Sequence, residues 1–194
     1  MINFRHVKFK NFLSTGNVIT NIQLDRSPTT LVIGENGAGK STMLDALCFA
    51  LFGKPFRKIK KSQLVNSVNL KDALVEVEFG IGRINYKIIR GLKPNKFEIY
   101  VDDQLLDQTA SVRDYQEYLE KNILKLNFTS FTQIVILGSS TFVPFMQLPA
   151  NQRREIIEDL LDIKIFTAMN ILLKEKVQSN KENIQEIKYK IDLE

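Results

Sequence analysis

Ile2 to Phe9 alternates between apolar and polar positions and predicts a strand, and Ile19 to Leu24 predicts a second. Ser27-Pro28 breaks that pattern. Thr30-Leu31-Val32-Ile33 is then a short apolar run of the kind that forms a buried parallel strand, ended by Gly34. From Lys40 to Phe52 the chain reads as a helix that is apolar on most faces, through Met43, Leu44, Ala46, Leu47, Cys48, Ala50 and Leu51, until Gly53 and Pro55 stop it. A helix of that kind must be covered nearly all round, so it is expected to lie against a sheet. Ala73–Phe79, Ile84–Ile89 and Phe97–Val101 are β-branched and aromatic runs separated by turn residues, and predict an antiparallel meander closed at Asp102-Asp103. Ser111 with Asp114 is a capping box that opens a helix to about Leu126, and Ile134–Leu137 predicts a further strand ending in Gly138, Ser139 and Ser140.

After Pro149 the pattern changes. No Gly or Pro occurs from Gln152 to Glu194, and apolar residues recur at helical spacing from Ile156 to Val177. The last part thins to Ile184, Ile187 and Ile191, three and four apart, which is the seam of a coiled-coil strand. The expected organisation is residues 1–150 as one α/β domain and 151–194 as the start of a coiled coil. In that reading Glu158 and Asp159 lie on the solvated side of the helix.

The chain has 194 residues, of which 44% are hydrophobic and 25% charged, which excludes a disordered or fibrous protein. Its single cysteine, Cys48, cannot form an internal disulfide and points to a reducing compartment. No apolar run approaches the roughly 18 residues of a membrane span, and Met1–Lys10 lacks the apolar core of a signal peptide, so a cytoplasmic location with no membrane partner is expected. The net charge is +5, and the excess lies before residue 151. Part of it is concentrated in Lys54, Arg57, Lys58, Lys60 and Lys61, a cluster suited to a phosphate backbone such as that of double-stranded DNA. A second basic stretch holds Arg83, Lys87, Arg90, Lys93 and Lys96.

The most specific segment is Gly34-Glu35-Asn36-Gly37-Ala38-Gly39-Lys40-Ser41, which matches G-x-x-x-x-G-K-[ST]. That pattern arises by chance in about one of 150 chains of this length. Its glycines let backbone N–H groups turn inward around phosphates, and the following helix adds its own N-terminal N–H groups. Lys40 is expected to reach the β- and γ-phosphates of a nucleoside triphosphate, Ser41 to ligate Mg²⁺ and Thr42 to approach the α-phosphate. Hydrolysis needs in addition an acid on a second strand. Ile156-Ile157-Glu158-Asp159 is the one stretch similar to it, and its period is helical.

Half a nucleotide site, no acidic strand and an unpartnered coiled-coil helix together resemble the N-terminal lobe of SMC-type and SbcC-type ATPases. The resemblance covers Met1 to about Phe166. It is carried by Lys10-Asn11-Phe12, the Gly34–Ser41 loop, Ser41-Thr42-Met43-Leu44-Asp45-Ala46, and Phe142 to Met146 followed by Arg153-Arg154 and Leu160-Leu161. Leu51-Phe52-Gly53-Lys54-Pro55-Phe56-Arg57 resembles phage members of the family most. The resemblance implies an α/β phosphate-loop lobe with a mixed sheet and an antiparallel β-subdomain, and an ATPase that works only when a C-terminal lobe completes it. It makes Asn36, Gly37, Ala38, Gly39, Lys40, Ser41 and Thr42 the ATP and Mg²⁺ cradle, with Ser14 near the phosphates and Asn66 to Val68 near the base. The family's Mg²⁺-binding glutamine falls at Ser139 here, and the nearest glutamine is Gln133. Cys48 does not correspond to the family's zinc-hook cysteines.

The implied function is the ATP-binding half of a DNA recombination and repair ATPase. It would dimerise with a second protomer on ATP and regulate a nuclease docked near residues 155–190. Two alternatives share parts of the pattern: a structural DNA clamp without nuclease, and a transporter-type ATPase lobe, which should instead continue into a helical subdomain.

Overall fold

The computed structural model of the chain describes residues 2–107, 111–136, 143–161 and 163–192. The chain divides into two compact units between Val143 and Pro144, each described by itself.

The first unit is built on β1 (Ile2–Lys10), β2 (Thr20–Gln23), β3 (Ala73–Ile81), β4 (Ile84–Leu92), β5 (Lys96–Val101) and β6 (Gln104–Leu105). They form one sheet in the order β2-β1-β3-β4-β5-β6, with every neighbouring pair antiparallel. The predicted alternation sets its register. Val7 lies opposite Val77 and Phe9 opposite Val75, so the buried side chains of both strands share a face. Between them Lys8 faces Glu76 on the other side, with Nζ 2.8 Å from the carboxylates of both Glu76 and Glu78. Those hydrogen bonds raise the Lys8 pKa and hold the Glu78 carboxyl below its usual range. The β5–β6 turn is Asp102-Asp103, with φ of 47° and 64°, the left-handed pair that a two-residue hairpin requires.

Helix α1 (Lys40–Phe52) occupies the predicted span and lies against β1, β3 and β4. Its buried residues run without interruption from Asp45 to Phe52. Phe49 packs on Phe12 with ring centroids 5.5 Å apart, while Phe52 meets Phe128 and Phe131 at 5.7 and 5.1 Å. Cys48 is fully buried within it, and burial together with the Asp45 charge pushes its thiol up to about 12. Gly53, at φ 67°, turns the chain out of the helix and donates its N–H to the Phe49 carbonyl.

The last carbonyls of α1 have no partner within the helix and cannot reach water easily. Arg90 and Gln116 answer them. Arg90 Nε donates to the Ala50 carbonyl at 3.0 Å, and Gln116 Nε2 donates to that of Leu51 at 3.0 Å. Arg90 Nη2 also donates to Gln116 Oε1 at 2.6 Å, and the guanidinium lies 3.7 Å from the centre of the Phe97 ring. Burial lowers the Arg90 pKa to about 10, opposed by the charge of Glu120, so the group remains a cation at neutral pH. Gln116 comes from helix α2 (Val112–Tyr118), opened by the predicted Ser111–Asp114 capping box. A π-helical turn follows at Leu119–Leu124, and α3 spans Phe128–Ile134.

The second unit contains α4 (Ala150–Leu160) and α5 (Lys164–Asp192). The helical run predicted after Pro149 is therefore interrupted after Leu160. Leu161 donates to the Ile157 carbonyl and Ile163 to that of Glu158. Glu158 accepts from Thr167 Oγ1, whereas Asp159 is buried and not on a solvated side.

Two predicted strands are absent. Thr30–Ile33 is irregular, with Leu31 81% and Ile33 83% exposed. A strand needs a ladder partner, and among the described residues none lies beside this segment; the parallel component of a mixed sheet is accordingly not formed by them. Ile134 closes α3 instead of opening a strand, because Asn127 Oδ1 caps that helix through the Ser130 N–H at 2.8 Å and Phe131 must face Phe52. Leu137 lies outside the described residues.

Arg90→Ala would leave α1 carbonyls and Gln116 without their cationic donor and uncover Phe97. Urea denaturation is expected to show a loss of about 2–4 kcal/mol.

Candidate functional site

The Gly34–Ser41 loop ends directly in α1, and Gly39 is the residue that caps it, at φ 93°. Gly37 stands at φ 91°, so both positions need glycine. Gly39 has no side chain to occupy the first N–H groups of α1, and no side-chain cap is present. The helix therefore presents an open, positively polarised end. Within the loop, Ala38 N–H donates to the Glu35 carbonyl at 3.2 Å and Thr42 N–H to that of Gly39 at 2.9 Å. Lys40 folds back over it, with Nζ donating to the Gly34 and Glu35 carbonyls at 2.6 and 2.7 Å. An ammonium so placed is held above the loop by two neutral acceptors that an anion would outcompete.

This end of α1 opens into a cavity of about 790 Å³. Ser14, Asn36, Gly37, Gly39, Lys40, Ser41 and Thr42 line it, seven residues singled out by the sequence. Ala38 belongs to the loop but does not line the cavity. Other predicted residues are placed differently. Of the expected stretch Asn66 to Val68, Ser67 lines the cavity, whereas Val68 is 82% exposed and lies outside the lining; Val65 and Leu70 also take part. Asn66 is buried and its amide is committed: Nδ2 donates to the Leu13 carbonyl at 3.0 Å, and Oδ1 accepts the N–H groups of Val68 and Asn69, each at 2.9 Å. Asn66 is thus a clamp for the loop carrying Ser14. Asn11, also buried, completes it by accepting from Asn69 Nδ2 at 2.6 Å.

The basic cluster is divided. Arg57 lines the cavity, and its N–H and Nε donate to the fully buried Asp45 carboxylate at 2.9 and 2.7 Å, with Nη2 also paired to it. It is committed to α1 and is corrected from a free backbone contact to a tie between the helix and the segment after it. Lys54 sits 5.7 Å from the Phe128 ring centre, and Lys58, Lys60 and Lys61 are exposed. In the second basic stretch, Arg90 is buried under α1, Lys87 and Lys96 pair with Asp103 and Glu98, and Lys93 lines the cavity. Sequence reading did not anticipate Ile59, Ser62, Gln63 or Lys93 at the site. They lie in segments without periodicity, so no local signal marks them.

Ser139 lies outside the described residues. Gln133 is on α3, does not line the cavity, and its Oε1 is buried with no hydrogen-bond partner among the described residues. No group of three or more His, Cys, Asp or Glu side chains gathers among the described residues. The exposed Ser41 hydroxyl is a sparse donor set that suits Mg²⁺, which keeps most of its waters and takes phosphate oxygens. The uncapped helix end, the two left-handed glycines and Ser41 together fit a nucleotide with its Mg²⁺.

Fold and site define an α/β phosphate-loop domain, and the chain belongs to the AAA domain family, which matches residues 6–193. It is 46% identical to exonuclease subunit 2 of Escherichia phage RB69 over 172 residues, 89% of this chain and 30% of that protein. The corresponding subunit of Enterobacteria phage T4 is 46% identical over 176 residues, 90% of this chain and 31% of that protein. The DNA double-strand break repair Rad50 ATPase of Thermoplasma volcanium is 26% identical over 187 residues, 94% of this chain and 20% of that protein. The chain thus spans about a third of the length of the phage relatives. Among solved structures, the Smc head domain with an extended coiled coil from Pyrococcus furiosus has a TM-score of 0.63 at 21% identity, covering 94% of this chain and 48% of that one. The fold is that of an SMC-type head.

Arg57→Ala would leave the buried Asp45 carboxylate unpaired and is expected to lower the unfolding free energy by about 2 kcal/mol, given that Arg57 is itself partly exposed. Lys58→Ala and Lys60→Ala should change it by less than about 0.5 kcal/mol in the same denaturation series.

Proposed function

We propose that this chain is the ATP-binding N-terminal lobe of an SbcC- and Rad50-like DNA recombination and repair ATPase. The observation that carries this reading is the uncapped N-terminus of α1 behind the Gly34–Ser41 loop, opening on a cavity large enough for a nucleotide. Lys40 leaves the loop carbonyls for the β- and γ-phosphates, Ser41 ligates Mg²⁺, and Ser14 and Thr42 bind at the edge of the phosphates. Bound Mg²⁺ supplies charge neutralisation of the triphosphate. Ser139 takes the position of the Mg²⁺-sensing glutamine.

ATP closes two protomers on each other, and a C-terminal lobe supplies the acidic strand that hydrolysis requires. Exposed Leu31 and Ile33 support such a lobe, since an apolar segment with no ladder gains by pairing with a strand brought to it. The exposed Ile165, Phe166, Met169, Leu172 and Leu173 of α5 support a partner helix and a nuclease subunit docked over residues 155–190. The 46% identity to exonuclease subunits favours the nuclease-linked ATPase over a clamp without nuclease. Lys54, Lys58, Lys60 and Lys61 contact the DNA backbone. No helix among the described residues is long and apolar enough to cross a membrane, and the complex works in the cytoplasm, that of the bacterial host if the source is a phage.

Isothermal titration with Mg·ATP tests the site: Lys40→Ala is expected to weaken binding at least tenfold with an unchanged circular-dichroism spectrum. Robust hydrolysis by this chain alone would contradict the half-site reading. For DNA, replacing Lys58, Lys60 and Lys61 together by Gln should reduce the slope of log affinity against log salt by about 3. An unchanged slope would remove those lysines from the interface.

A further inference from the structure

Three cations line the cavity, Lys40, Arg57 and Lys93, and no carboxylate does so among the described residues. The three are not equivalent. Arg57 is neutralised by the buried Asp45 carboxylate, and Lys40 is held by two neutral carbonyls. Lys93 comes from the turn between β4 and β5, far along the chain from the phosphate loop. Its neighbours on that hairpin are neutralised, Lys87 by Asp103 and Lys96 by Glu98. The exposed Lys93 ammonium has neither an ion pair nor a hydrogen bond among the described residues.

The backbone that carries this lysine is fixed by contacts unrelated to its charge. Lys93 stands at φ 53°, a left-handed conformation that a lysine keeps only where its surroundings impose it. Its carbonyl accepts the Asp72 N–H at 2.8 Å, so Asp72 meets it through the backbone and not through the carboxylate. Gly91 lets the turn close tightly, since a Cβ there would lie 3.3 Å from the carbonyl oxygens of both Ala73 and Pro94. The turn is thereby held against the start of β3, with its lysine at the cavity wall.

An unneutralised ammonium in a wall without carboxylates adds to the potential inside the cavity, and protein walls weaken its field less than bulk water does. The attraction needs no direct contact, and it acts on the charged part of a nucleotide, which is the phosphate chain. We propose that Lys93 is a second phosphate-attracting lysine of this site, acting with Lys40 through its charge on the triphosphate. The inference rests on the nucleotide reading and extends it to a residue outside the phosphate loop.

The test is isothermal titration of the 194-residue chain with ATP and with inorganic tripolyphosphate, each with Mg²⁺, at ionic strengths of about 0.01 and 1 M, where the Debye length is about 30 and 3 Å. Lys93→Gln is expected to weaken both ligands at least threefold at the lower ionic strength and less than twofold at the higher. Lys93→Arg should restore wild-type affinity. Lys87→Gln, which removes the same unit charge away from the cavity, should weaken both ligands less than twofold. Four outcomes overturn the inference and leave the phosphate site standing: no loss with Lys93→Gln, an equal loss with Lys87→Gln, a loss seen with ATP but not with tripolyphosphate, or a loss that Lys93→Arg does not repair. Failure of the wild-type chain to bind either ligand, or binding indifferent to Lys40→Ala, overturns the phosphate-site reading itself, and the role of Lys93 falls with it.

Discussion

Helix α1 is apolar around nearly its whole circumference, and the rest of the first unit is arranged to cover it. The sheet takes one side through β1, β3 and β4, and Phe12, Phe128 and Phe131 close on others. Enclosure has opposite consequences at the two ends. The C-terminal carbonyls are shut away from water, so they need donors from elsewhere, and Arg90 and Gln116 are brought in from β4 and α2. The N-terminal N–H groups are left facing a cavity, because the capping position is a glycine without a side chain to satisfy them. One helix thus anchors the core at one end and leaves unspent polarity at the other.

The cavity beside that open end is shaped by polar ties and not by apolar packing alone. Asp45, one turn into α1, draws Arg57 inward and so fixes where the chain runs after Gly53. Asn66 and Asn11 hold the loop that carries Ser14 against the segment that carries Ser67 and Leu70. Asp45, Asn11 and Asn66 are buried, Arg57 is partly exposed, and each is matched to its partners, which makes the walls rigid while the lining itself stays open. The same ties decide the chemistry left over. Arg57 and Asn66 are consumed in construction, whereas Lys58, Lys60 and Lys61 are left exposed.

The exposed apolar side chains are the counterpart of this economy of polar groups. Leu31 and Ile33 ahead of the phosphate loop, and the row along α5, have no cover within the chain's described residues. Their exposure is a property of composition in place: strand-type and seam-type sequences whose partner strand or helix is not among the elements that surround them.

Much of this was legible in the residues. Alternation marked β1, β3, β4 and β5, the all-round apolar run marked α1, Ser111 and Asp114 marked the start of α2, and the Gly34–Ser41 spacing marked the loop, five of whose residues, Asn36, Gly37, Gly39, Lys40 and Ser41, line the cavity. These are local signals, carried by period and by glycine at positions that only glycine adopts freely. What tertiary structure decided was everything that depends on a partner distant in sequence. Thr30–Ile33 has strand composition but no ladder, Ile134 has strand composition but sits on a helix held by Phe52, and Arg57, Arg90 and Lys93 look alike as basic residues yet end in a helix tie, a buried carbonyl cap and a cavity wall. A side chain's charge and shape are written in the chain, but which carboxylate, carbonyl or ring it meets is settled only when segments tens of residues apart are packed together.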